Sequence, residues 1–135
     1  MSVPAWDRSK SEMDFITYSR KLEIYTKKKC SHFKKSYTFY EGIPLANLAQ
    51  KVHHTLIDAN SRYPLDKEEA RDRRKLMLEA RGAIKDMISE LEVAKEVIPT
   101  LDYDTFQYWS GLCYDVLRLI NGVIQKDRER YKNLP

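Results

Sequence analysis

The stretch KLMLEARGAIKDMISELEVAKEVIP, residues 75–99, decides the fold class because it has the periodicity of a long amphipathic helix. Asp66 is placed to cap the start of this helix, and Pro99 ends it. Gly82 breaks the pattern, since it occupies a mid-helix position where alanine would be favoured by about 1 kcal/mol. The apolar residues recur at intervals of three and four, as one helix face requires, at Leu76, Ala80, Ala83, Ile84, Met87, Leu91, Ala94 and Ile98.

Three more segments repeat this helical pattern. One runs from about Ser11 to Phe33, the next begins at Pro44 and ends in NSRYPLD (60–66), and the last starts after Asp102. The sequence shows no strand-like alternation, so we expect an all-α protein. Four helices with short connections favour an antiparallel up-down-up-down four-helix bundle.

The remaining segments are predicted to be irregular. The segment KKSYTFYEG (34–42) is predicted to be a loop or a short extended piece with a turn at Gly42. We expect one domain over residues 1–135, with an N-terminal extension at 1–10 and a fraying tail at 127–135.

Composition narrows the class of protein. The chain has 33% charged residues and a net charge of +4. It has no run of about 18 apolar residues and no apolar N-terminal segment, so neither a membrane span nor a signal peptide is expected. Cys30 and Cys113 are too few for a disulfide framework, and two reduced thiols favour a cytoplasmic location.

The glycines indicate a subunit interface. On a helical wheel Gly82 faces away from the core stripe of its helix, and so do Gly111 and Gly122 in the fourth helix. The apolar arc of the fourth helix also continues past the core, through Tyr108, Leu112 and Leu119. An arc wider than one bundle needs favours contact with a second subunit. The alternative is that these glycines are merely tolerated on a solvated surface.

Basic side chains form two groups. Five follow the outer face of the third helix, which we call the basic stripe: Lys67, Arg71, Arg74, Arg81 and Lys85. A second basic group near the end of the first helix and just after it comprises Lys27, Lys28, Lys29, Lys34 and Lys35. We call its members other than Lys34 the first-helix lysines. Such side chains are suited to phosphate contact, and they are equally common on any solvated helix face.

The chemistry-bearing residues do not form a catalytic motif. The histidines are His32, His53 and His54, and none has a metal-ligand spacing in the sequence. There is no Gly-rich phosphate loop and no nucleophile beside a base. We therefore expect no enzyme activity, no cofactor and no metal. A small enzyme on a helical bundle is the weaker alternative.

Four stretches together resemble a known family: FKKSYTF (33–39), LIDAN (56–60), LMLEARGAIKDMISELEVAKEV (76–97) and YWSGLCYDVLRLINGVIQK (108–126). They are similar to the small four-helix bundle proteins that include Avd, the accessory variability determinant of diversity-generating retroelements. Relatives of Avd are encoded in intervening sequences of bacterial ribosomal RNA genes. Ala80-Arg81-Gly82 and the segment 119–126 with Gly122 are the most characteristic pieces.

The resemblance implies a basic homo-oligomer, pentameric in the Avd branch, that partners a reverse transcriptase and binds nucleic acid without catalysis. The resemblance, together with the basic stripe, implies a non-enzymatic reverse transcriptase accessory protein that holds RNA or cDNA. The basic stripe would contact phosphates, with the first-helix lysines as secondary contacts, and the three glycines would permit close subunit packing. A purely structural homo-oligomer without nucleic-acid binding is the alternative.

Overall fold

A computed structural model describes the backbone of residues 5–135 and the side chains of residues 14–135, and it is helical throughout its regular elements. Residues 1–4 of the predicted extension lie outside the described residues. The elements are α1 (Ala5–Cys30), α2 (Lys35–Tyr37), a π-helical turn (Thr38–Gly42), α3 (Ile43–Asn60), α4 (Lys67–Val97) and α5 (Tyr103–Arg130). The helix α1 therefore begins before the predicted Ser11, inside the segment expected to be an extension.

The four long helices surround one core. Helix α1 packs against α3 and α5, and α4 packs against the same two helices. The apolar stripe predicted for α4 is buried except at Leu76, which is half-buried while Met77 takes the core position. Across the core, the indole nitrogen of Trp109 donates to the Thr26 hydroxyl at 2.9 Å, so this buried N–H is satisfied. The prediction of a helical bundle is confirmed.

Both predicted aspartate caps are present. The Asp66 carboxylate accepts from the backbone N–H of Glu69 at 2.8 Å, and Asp102 accepts from that of Thr105 at 2.7 Å. These bonds satisfy amide groups that the first turn of a helix leaves without an intrahelical partner. The bond from the backbone N–H of Thr105 is also the main reason that the pKa of Asp102 lies below its ordinary value.

The prediction of a loop or extended piece at 34–42 is wrong, because this segment is helical and continues into α3. The N–H of Ile43 donates to the carbonyl of Thr38, which gives the wide spacing of a π-helix. Pro44 follows and has no N–H for an ordinary helical bond, so the backbone must change its bonding at this point. Gly42 has helical dihedral angles, so the predicted turn does not form there.

The structure describes the course of the segment 127–135, which is predicted to fray. Helix α5 continues to Arg130, and the backbone N–H of Lys67 donates to the Pro135 carbonyl at 3.0 Å. The end of α5 also contacts Arg73, a charged side chain of α4 that is only 3% exposed. Its Nε donates to Asp127 Oδ2 at 2.7 Å, and its Nη1 donates to the carbonyls of Ala59 and Arg62. A buried charge needs such partners, so Arg73 fixes the end of α5 against α4.

We expect Asp127→Ala to destabilise the fold by about 3–5 kcal/mol, because it leaves the buried Arg73 charge without its carboxylate. The measurement is the free energy of unfolding in urea. Asp115→Ala is the matched control on the same helix, since it breaks an exposed pair with Arg118 and should cost at most about 1 kcal/mol. Equal losses of stability in the two variants would contradict a clamp at Arg73.

Glu41 is the buried carboxyl of the π-helical turn. It is 3% exposed, and its Oε2 has no hydrogen-bond partner among the described residues. Burial, together with the neighbouring carboxyl group of Glu90, raises the pKa of Glu41 to about 7 from 4.5. The folded state therefore retains a proton that the unfolded chain releases above its own, lower pKa.

This difference gives a pH dependence with a definite sign. The stabilising contribution of Glu41 is fully present below pH 4.5 and disappears as the pH rises through about 7. Glu41→Gln cannot ionise, so its stability relative to the parent should rise by about 1–3 kcal/mol between about pH 5 and pH 8. Urea unfolding at both pH values measures this, with the exposed Glu129→Gln as control. A difference that stays constant with pH would show that Glu41 does not retain the proton.

Candidate nucleic-acid interface

The basic stripe lies on the outer face of α4, as the sequence predicts. Lys67, Arg71, Arg74 and Lys85 are exposed, and Arg81 is half-buried. Arg81 leans towards α5, where its Nη1 donates to Asn121 Oδ1 at 3.3 Å. The first part of the stripe is therefore open to solvent, whereas Arg81 is held along the α4–α5 seam.

The first part of the stripe forms one wall of a pocket of about 300 Å³. Lys67, Arg71 and Arg74 come from α4, and the opposite wall is made by the end of α5 and the residues after it. The apolar part of the lining comprises Ala70, Met77 and Ile124, and the polar part of the opposite wall comprises Asp127, Arg128, Tyr131 and Lys132. We call this the basic pocket.

The basic pocket has a large positive charge because its one carboxylate is already neutralised. Asp127 is held by both Nε and Nη2 of Arg73, at 2.7 and 3.3 Å. Within the described part of the chain, no carboxylate lies at ion-pair distance from Lys67, Arg71, Arg74 or Arg128. Lys132 pairs only with the exposed Glu129, which is a weak interaction. Five cations thus surround an apolar floor, an arrangement suited to an anion with an apolar body.

Tyr131 provides an aromatic surface in the pocket. Its ring centroid lies 5.9 Å from the Arg73 guanidinium and 5.8 Å from that of Arg130, within the range of cation–π contact. Aromatic rings and arginine planes are the surfaces on which unpaired bases stack.

The sequence reasoning missed Arg128, Tyr131 and Lys132 because it expected this segment to fray. A signal was available, since Ile124, Arg128, Tyr131 and Lys132 follow the spacing of one helix face. The sequence reasoning also missed that one arginine is buried. Arg73 stands among several exposed charges in KEEARDRRK (67–75), and only the position of Asp127 distinguishes it from them.

The first-helix lysines lie away from the basic pocket. Tyr25, just before them, has its ring 4.9 Å from that of Tyr108, near the start of α5. Asp127 lies nineteen residues further along α5, or about 28 Å at the helical rise. Lys27 is bound to Glu23 and Gln50, and Lys29 lies over the Tyr25 ring. The structure therefore does not bring the two predicted basic groups together.

The three predicted interface glycines have open surroundings. Gly82, Gly111 and Gly122 are exposed, and a Cβ added to any of them would meet no atom within 4 Å. Packing within the described chain therefore does not explain them. Tyr108 is 49% exposed, and Leu119 is half-buried against the core.

Leu112 requires a correction. It is 4% exposed and belongs to the core of the single chain, so it is not available for contact with a second subunit. The wide apolar arc of α5 arises in part because this helix packs against both α1 and α4. A helix with two neighbours needs a broader buried face than a stripe of about 100°.

The cysteines have the character of core residues. Cys113 is buried, Cys30 is half-buried, and both thiols are free. Burial raises the pKa of each thiol to about 12, which disfavours the thiolate form. Among the described helices, none combines the length and apolar character needed to cross a membrane.

Comparisons of this chain with protein-family models, curated proteins and solved structures gave no match. What supports a function is therefore the geometry of the basic pocket, together with the family resemblance described above.

The open glycines generate a prediction about assembly. In a single chain, Gly111→Leu and Gly122→Leu should strengthen α5, because leucine exceeds glycine in helix propensity by most of about 1 kcal/mol. If a second backbone packs there, the added side chain instead blocks it. We expect unchanged helicity by circular dichroism and a smaller particle by light scattering.

Lys51→Leu is the control for this experiment, since it places the same side chain on an exposed position of α3. It should leave the particle mass unchanged. If both glycine variants also retain the parental mass, the glycine face is not a subunit interface.

Proposed function

We propose that this chain is a non-enzymatic accessory protein of a reverse transcriptase of the diversity-generating retroelement type. It binds RNA or cDNA through the basic pocket and docks the polymerase. The observation that carries the nucleic-acid part is the basic pocket, with five cations around an apolar floor and an aromatic ring. The polymerase and the retroelement are supported by the resemblance to the Avd family. A reverse transcriptase gene beside a template and variable repeat pair would further support that partner.

The binding mechanism divides between charge and stacking. Lys67, Arg71, Arg74 and Arg128 bind phosphate oxygens and release condensed counterions, which makes affinity depend on salt. The apolar floor and Tyr131 accept an unpaired base, since every base has an apolar face. The side chains that line the pocket are mainly cations and apolar groups, which contact phosphates and base faces rather than base edges, so binding is largely independent of sequence. Single strands therefore fit the pocket better than a duplex, whose bases are stacked inward.

Assembly completes the proposal. We propose an antiparallel bundle that assembles into a ring, with five subunits favoured by the resemblance. The antiparallel arrangement is supported by the pair that joins Arg73, near the start of α4, to Asp127, near the end of α5. A ring repeats the basic pocket in each subunit, so weak single sites add up through effective concentration. Such a particle would position and shield a template strand for the polymerase.

The competing proposal is a purely structural homo-oligomer whose charges only solvate its surface. It is favoured by the acidic residues that share the first turns of α4 with the stripe, namely Glu68, Glu69 and Asp72. Retention of nucleic acid at moderate salt separates the two proposals, because a solvated surface has only weak, non-specific affinity.

The decisive variant replaces Arg71, Arg74 and Arg128 by glutamine. The slope of log K against log salt should become shallower by roughly 0.7 to 0.9 for each phosphate that the variant no longer binds. Binding to RNA and to single-stranded DNA should weaken together, as measured by fluorescence anisotropy over a salt series. The helices should survive, because glutamine and arginine have similar helix propensity.

Arg20, Lys21 and Lys51 replaced together by glutamine form the matched control. These exposed residues lie on α1 and α3, outside the pocket, and their replacement changes the net charge by the same amount. A control that weakens binding as much as the pocket variant would indicate attraction to net charge alone. A pocket variant with the parental affinity and slope would refute nucleic-acid binding at this site.

A further inference from the structure

Three potential metal ligands meet between α1 and α3, on a surface that the nucleic-acid proposal does not use. His53 Nδ1 lies 2.7 Å from Glu23 Oε1, and His54 Nε2 lies 3.7 Å from the same oxygen. One ligand atom from each of the three residues lies within 4.8 Å of the other two. Glu23 comes from α1 and the histidines from α3, so no spacing within one helix could reveal the cluster.

The distances are those of a site that a small cation can complete. Ligand atoms about 2.0–2.1 Å from a tetrahedral Zn²⁺ ion are separated from one another by roughly 3.4 Å. The observed 2.7 and 3.7 Å, both measured to Glu23 Oε1, lie on either side of that spacing, and the two imidazole nitrogens lie within 4.8 Å of each other. An ordinary ion pair explains the contact of His53 with Glu23. His54 Nε2 lies at ion-pair distance from the same oxygen but beyond hydrogen-bond distance, so an entering ion would break no hydrogen bond of His54 there.

The three side chains differ in burial, so two of the ligands are fixed by packing and the third faces solvent. The side chains of Glu23 and His53 are 13% and 12% exposed, so packing between the helices holds them in place. The side chain of His54 is 60% exposed, which leaves that side of the cluster accessible to an ion and to water. Two imidazoles and one carboxylate with an open position form a donor set that zinc adopts in proteins.

Lys27 is the charge that opposes a cation at this cluster. Its ammonium lies 2.7 Å from Glu23 Oε2 and 2.9 Å from Gln50 Oε1. It therefore occupies the other carboxylate oxygen and leaves Oε1 to the imidazoles. The Lys27 side chain is 47% exposed, so it can turn towards solvent when an ion enters.

We propose that Glu23, His53 and His54 form a binding site for Zn²⁺ or a similar transition-metal ion, which ties α1 to α3. Water completes the coordination on the open side. Because the ion bridges two helices that the unfolded chain separates, binding stabilises the folded protein. The role is structural, and it is independent of the nucleic-acid proposal.

The test uses the full, untagged chain with Zn²⁺ in calorimetric titration and thermal unfolding. The parent should bind one ion per chain and melt at a higher temperature with Zn²⁺ but not with Mg²⁺, which prefers oxygen ligands. His54→Asn should lower the Zn²⁺ affinity by more than about tenfold, since removal of an outer-shell partner alone can cost that much. His54 is exposed, so this variant should fold normally. Glu23→Gln should weaken binding similarly.

Two further variants make the result specific. His32→Asn removes the histidine outside the cluster and should leave the affinity unchanged. Lys27→Gln removes the opposing charge and should raise the affinity at least about threefold. With Co²⁺ as the probe, the spectrum should lack the thiolate charge-transfer band that cysteine ligation would give.

Three outcomes would overturn the site. The first is a His54→Asn variant with the parental affinity and melting shift. The second is a Lys27→Gln variant that binds no more tightly than the parent. The third is a thiolate band with Co²⁺ that disappears in Cys30→Ser, which would place the ion on a cysteine instead.

Discussion

The buried guanidinium of Arg73 is the constraint on which one end of the bundle depends. A charge in the interior is tolerated only when its donors are satisfied, and Arg73 directs donors to Asp127, Ala59 and Arg62. These partners belong to the end of α5, the end of α3 and the α3–α4 connection. One side chain therefore joins three segments of the chain. Replacing the pair by apolar residues could give equal stability, so the pair contributes position more than free energy.

The basic pocket is a consequence of this clamp. Because Asp127 is neutralised by Arg73, it does not cancel the charge of the surrounding lysines and arginines. Because α5 continues to Arg130, Arg128 and Tyr131 line the same pocket as the first turns of α4. The clustered cations repel one another, and their exposure to water keeps that repulsion small until an anion is bound. Stability and the proposed function therefore depend on the same buried contact.

The sequence predicted the elements whose signals are local. Periodicity located α3, α4 and α5, and the aspartates before α4 and α5 marked their starts correctly because a cap acts within one turn. Sequence reasoning failed at 34–42, where Pro44 suggested a helix start although the backbone passes through it by π-helical bonding. It also gave no sign of the contact at Asp127, because the partner of this residue, Arg73, lies fifty-four residues away in the sequence. The helix propensities of individual residues carry no information about a contact between residues so far apart in the sequence.

By itself, the sequence determined an all-helical chain, the outward position of the basic stripe and the outward position of the three glycines. Each follows from the 3.6-residue period, which places residues on faces without knowledge of the neighbouring helix. Only the tertiary structure decided that Leu112 is core and that Arg128 and Lys132 join the stripe. Only the tertiary structure shows that the first-helix lysines lie away from the basic pocket and that Glu23 lies beside His53 and His54. These are contacts between helices, and which faces meet depends on the packing of all four helices together.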